Sequence, residues 1–112
     1  MMNKDSNIKT RYEHLVFFKW NEFITQEREQ DILKELLSFK ERISGILELS
    51  AGLNVLKEQE ITQEYTMGLR ITFESKEALE SYDTHPVHQT FKEHIKDVYD
   101  NFIAVDYPIH NR

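Results

Sequence analysis

Between Tyr12 and Trp20 apolar side chains fall on both parities of an alternating segment, with His14, Val16, Phe18 and Trp20 on one side and Leu15 and Phe17 on the other. Alternation at a period of two marks a strand, and apolar groups on both sides mark a strand covered on both faces, central in its sheet. This chain must therefore supply two coverings for one sheet. Its 112 residues make one domain with one core. A domain of that size buries about two-thirds of its unfolded surface, and a second copy is the readiest source of further cover.

The periodicity then changes four times. Thr25 is placed to cap a helix with acids in its first turn, and Ile32, Leu33, Leu36, Leu37, Phe39 and Ile43 make one apolar stripe over four to five turns. Ser44-Gly45 ends it. Leu47, Leu49, Ala51, Leu53 and Val55 alternate as a second strand, in which Gly52 marks a bulge or a close backbone approach. A polar connection, 57–64, leads to a third strand on Tyr65, Met67, Leu69, Ile71 and Phe73. Ser75 caps a short helix that runs to about Tyr82, and His85-Pro86 breaks it, since the residue before proline avoids the α region while Pro86 suits the first position of a new helix. Phe91, Ile95, Val98 and Tyr99 give that helix its stripe, and a last strand spans 102–107. The order β-α-β-β-α-β predicts an α+β, ferredoxin-like fold: four mainly antiparallel strands with helices on one face. Residues 1–10 show no periodicity and read as a flexible tail, so the domain is 11–110.

Charge narrows the partners. The net charge is -6, and all of the excess acid lies beyond residue 43. Basic groups such as Lys40 and Arg42 are interleaved with acids, so neither nucleic acid nor an anionic membrane surface is an expected partner. No apolar run approaches the roughly 18 residues of a membrane helix, and residues 1–11 lack the apolar stretch of a signal peptide, so a cytoplasmic protein is expected. The absence of cysteine excludes disulfides, thiolate zinc sites and a cysteine nucleophile.

Chemistry falls to five histidines, His14, His85, His88, His94 and His110. The densest grouping is Tyr82-Asp83-Thr84-His85-Pro86-Val87-His88. His88 stands in the first turn of the Pro86 helix, where the positive helix end disfavours imidazolium and keeps a proton acceptor. Tyr82 supplies a phenol that can polarise a carbonyl or hold an oxyanion. If the His14 side of the first strand is the helix-covered one, then His14, Tyr82 and His88, beside Val16 and Phe18, line one small, largely apolar cavity. A structural assignment stands beside this one: His85 shaping the proline turn, His88 bonding at a helix start, and Tyr82 packed with its hydroxyl satisfied. Metal binding is not expected, because Pro86 falls between His85 and His88, and His94 lies on another helical face.

Several stretches resemble the stress-responsive A/B barrel (Dabb) family over 12–108: His14-Leu15-Val16-Phe17-Phe18-Lys19, Ile43-Ser44-Gly45-Ile46, Gly52-Leu53-Asn54, Phe73-Glu74-Ser75-Lys76-Glu77-Ala78-Leu79 leading to Tyr82, His85-Pro86-Val87-His88 and Phe91, and Val105-Asp106-Tyr107. The resemblance implies a homodimer whose two sheets face each other as an α/β barrel. Most of the family has no assigned reaction, and its name records induction by stress in plants. One branch, the olivetolic acid cyclase-like plant polyketide cyclases, closes a linear chain by aldol condensation. By that likeness His88 is the base, Tyr82 assists, and His14 and His85 match the remaining histidines. The pocket wall falls on Leu33, Leu36 and Phe91. Aromatic residues of the cyclase's first helix are replaced by Ile32, Leu33 and Leu36, and a small Gly by Lys92.

Two hypotheses follow. The first is a stress-linked homodimer with no established reaction, whose apolar cavity binds a small ligand. The second is a cofactor-free lyase or cyclase that removes a proton beside a carbonyl, using His88, Tyr82 and His14. For a third, monooxygenase-like chemistry on a related dimeric fold, no sequence element favours a haem or flavin, and no cofactor is expected.

Overall fold

A computed structural model describes residues 9–111; the expected tail lies, apart from residues 9 and 10, outside the described residues. Four strands, β1 (Tyr12–Trp20), β2 (Ile46–Leu53), β3 (Tyr65–Phe73) and β4 (Tyr99–Pro108), form one sheet in the order β2-β3-β1-β4. Every neighbouring pair is antiparallel. The helices are α1 (Gln26–Leu37), α2 (Phe39–Arg42), α3 (Gln59–Thr62), α4 (Lys76–Asp83) and α5 (Pro86–His94). The expected ferredoxin-like arrangement is the one observed, with β1 central.

Parity decides which side of the sheet is buried. Val16, Phe18 and Trp20 of β1 and Met67, Leu69, Ile71 and Phe73 of β3 pack beneath Ile32, Leu36 and Phe39 of the first helices and Phe91 of α5. The caps form where the sequence put them: the Thr25 hydroxyl accepts from the Arg28 amide and the Ser75 hydroxyl from the Ala78 amide, 3.1 Å in each case. Gly45 has φ +92°, and a Cβ there would lie 2.6 Å from the Ala78 methyl, so α4 can approach only a glycine.

Five expectations are corrected. The first helix does not run unbroken to Ile43. The Ser38 hydroxyl donates to the Glu35 carbonyl at 2.6 Å, the back-bonding that bends a helix, and a separate turn, α2, follows. The second strand ends at Leu53, because the Asn54 side chain bonds the Tyr65 carbonyl and the Leu56 amide; Val55 is exposed. Gly52 marks no bulge: it pairs with Gly68 in register, and the irregularity lies between Ile46 and Glu48. The polar connection contains the single turn α3. Finally, α5 stops at His94, so Val98 is buried in a turn and Tyr99 begins β4. The Arg28 guanidinium pins that turn, donating to the His94 carbonyl and to both Asp97 carboxylate oxygens.

Candidate functional site

The site begins with the break between α4 and α5. Where α4 ends, the Tyr82 carbonyl loses its helical partner and accepts instead from the His85 amide at 3.1 Å. His85 is extended, and its own Nδ1 accepts from the Val87 amide at 3.1 Å, capping α5, with Pro86 at the first helical position. This short hinge brings His88 back over α4, and its Nδ1 lies 3.1 Å from the same Tyr82 carbonyl. A carbonyl only accepts, so the proton sits on Nδ1, and Nε2 of the neutral ring keeps a free lone pair.

The second part comes from the sheet. His14 and Asp106 are register partners on β1 and β4 and share the helix-facing side. The His14 Nδ1 donates to the Asp106 carboxylate at 2.5 Å. Tyr82 fills the space between the two imidazoles, stacked on His88 at a centroid distance of 4.2 Å and edge-on to His14 at 5.2 Å. Phe39 and Phe73 pack around the tyrosine ring.

Burial sets the protonation states. It lowers the His88 pKa below the ordinary 6.5; the Lys92 charge acts in the same direction, and the bond to the Tyr82 carbonyl opposes both. Burial also raises the Tyr82 phenol well above its usual 10.0, with the negative charges of Asp106 and Asp83 adding to the effect. At neutral pH the site therefore holds a neutral imidazole that accepts and a neutral phenol that donates. Among the described residues the Tyr82 hydroxyl forms no hydrogen bond, yet it is not one of the buried unpartnered groups, which places it at free space.

That space is a cavity of about 900 Å³ between the sheet and the α4–α5 pair. The structure brings His14, Tyr82, His88, Val16, Phe18, Leu36 and Phe91 together around it. It does not bring Leu33 or His85 there: Leu33 packs on the core beside Leu36, and His85 is occupied as a helix cap. His94, on the far side of α5, pairs with Glu35 at 2.9 Å. Sequence reasoning gave no role to Asp106, whose signal was an acid on the inward parity of the last strand, level with His14 once β4 pairs with β1.

Among the described residues the opposite face of the sheet is bare. Phe17, Ile103, Val105 and Tyr107 are 42–48% exposed on the strands β1 and β4, and Phe17 lies across Gly68 of β3. Beside them Arg70 reaches Glu13 and Glu48, and the Thr72 hydroxyl donates to Glu13.

The model of the stress responsive A/B barrel domain matches residues 12–109. The olivetolic acid cyclase of Cannabis sativa is 24% identical over 94 residues, 84% of this chain and 92% of that protein. The solved protein At3g17210 of Arabidopsis thaliana superposes with a TM-score of 0.79 at 25% identity, covering 90% of this chain and 97% of that one. A protein from Jannaschia sp. CCS1, described as dimeric, ferredoxin-like and of unknown function, gives 0.72 at 25% identity over 88% and 99%. Among the described residues of this chain no helix is long and apolar enough to cross a membrane.

Proposed function

The chain belongs to the stress-responsive A/B barrel family, and on that premise we propose that it is a homodimer whose cavity takes up a small, largely apolar carbonyl compound and removes a proton beside the carbonyl. The His88 Nε2 accepts the proton, the C–H electron pair becomes the double bond of an enolate, and the Tyr82 hydroxyl donates to the enolate oxygen. His14, held by Asp106, positions the substrate from the opposite wall. The enolate is then reprotonated at carbon or adds to a second carbonyl, the class of step that a cyclase needs. One observation carries the proposal: the bond from the His88 Nδ1 to the Tyr82 carbonyl, which leaves Nε2 bare in an apolar cavity. The likeness to a cyclase over nearly the whole chain supports it. For assembly the support is the bare apolar face, together with relatives of this fold described as dimeric.

Exchange of the α-protons of 2-heptanone for deuterium, followed by proton NMR in deuterated buffer, tests the chemistry without requiring the natural substrate. We expect catalysed exchange by the wild-type protein and a loss of ~10²–10⁴-fold in His88→Ala. Equal rates in the two proteins would remove His88 from the mechanism. The second reading, uptake of an apolar ligand without turnover, is favoured by the aliphatic wall at Leu36. It takes over if 2-heptanone binds and no exchange occurs.

A further inference from the structure

The cavity is apolar at its floor and charged at its mouth. His88 and Lys92 stand four residues apart on α5, so they share one helical face with their Cβ atoms about 6 Å apart, and both line the cavity. The carboxylates at the mouth are Glu80, Asp83, Glu93 and Asp106. Two of these are engaged: Asp106 by His14, and Glu93 by Lys96 at 3.6 Å. The other two lie on the α4 wall with Lys76. Among the described residues Lys92 has no carboxylate within ion-pairing distance, nor has Lys76 on the α4 wall, whereas Lys19 has two and Lys96 one. The α5 wall thus carries a cation without an ion-pair partner one turn beyond the proton acceptor, on a flexible stem that can follow a ligand.

We infer that the compound taken up is an oxo acid whose carboxylate rests on Lys92 while its carbonyl end reaches Tyr82 and His88. This rests on the reading of the cavity as a carbonyl-compound site and adds the substrate class to it. One helical turn between Lys92 and His88 sets the spacing, about three or four carbons between the carboxylate and the reacting carbonyl. That the Lys92 charge is felt at His88 agrees with their sharing one space.

Titration calorimetry with 5-oxodecanoate and its methyl ester separates charge from shape, since the two probes share chain and carbonyl. At low salt the wild-type protein is expected to bind the carboxylate about two- to fivefold tighter than the ester, the scale of a solvent-exposed ion pair. The preference is expected to shrink in high salt and to vanish in Lys92→Met, with circular dichroism showing both proteins folded. Equal binding of the two probes by the wild-type protein, or an unchanged preference in Lys92→Met, would overturn the oxo-acid assignment while leaving the cavity reading in place. If neither probe binds the wild-type protein, the cavity reading itself falls, and this assignment with it.

Discussion

β1 shows its two faces two different environments. Inward, His14, Val16, Phe18 and Trp20 are each less than 10% exposed, and the polar member of the set is there only with its partner Asp106. Outward, Leu15 and Phe17 face no helix among the described residues, Phe17 is 43% exposed, and the neighbouring polar groups Glu13, Arg70 and Thr72 satisfy one another. A strand of one alternating pattern thus serves two purposes. The covered face sets protonation states; the other face is apolar, and none of the described residues covers it. In the proposed homodimer, burial within the single chain underestimates what this sequence buries.

The strongest way to break the comparison is to charge the bare face. In Phe17→Asp, two unpaired carboxylates would enter the proposed interface. Dissociation should become easier by about 10³-fold, equivalent to ~4 kcal/mol, while each protomer stays folded because Phe17 is only half-covered there. Light scattering against concentration reads this directly. An undisturbed dimer would show that the bare face is not where copies meet.

A matched pair then sharpens the contrast, measured in the Phe17→Asp background so that assembly does not contribute. Ile71, fully buried beneath the helices, should cost about 3 kcal/mol of unfolding free energy when truncated to alanine. Val105, 48% exposed on the other face, should cost no more than about 0.5 kcal/mol. Urea unfolding of the two variants gives the difference. Similar losses would mean that the faces are not the separate environments described above.

How far the sequence announced all this depends on whether a feature is local. β1 and β3 were readable because alternation is a property of neighbours, and the breaks at Gly45 and Pro86 were readable because each residue has a backbone reason to be there. The grouping of Tyr82 and His88 was readable for the same reason: six residues and a proline hinge bring them together. The His14–Asp106 pair was not, because it joins residues 92 positions apart and depends on which strands become neighbours. The kink at Ser38 hid behind an apolar stripe that continues through it, since a hydroxyl back-bond leaves no trace in hydropathy. Leu33 was placed at the cavity by likeness to the cyclase's first helix, but it packs on the core, and of the two leucines Leu36 lines the void. His85 went to the same wall by likeness to a motif, whereas its ring is needed to cap the helix that carries His88.

The smallest expected effect is also the one tied most closely to the dry face. Burial disfavours imidazolium, so the folded His88 binds its proton more weakly than the unfolded chain does near 6.5. Between the folded value and 6.5 the unfolded state therefore holds more protons. This contribution to stability is complete above 6.5, declines as the pH falls through that window, and is constant below it. Proton abstraction needs the neutral ring, so the acid limb of kcat/KM for α-deuterium exchange should have its midpoint below 6.5 and retain more than half of its plateau at that pH. Removing the Lys92 charge takes away one of the causes of the depression, so the limb of Lys92→Met should move towards 6.5. A wild-type midpoint above 6.5 would mean that His88 is charged more readily than its burial allows, and that the covered face is wetter than its packing implies.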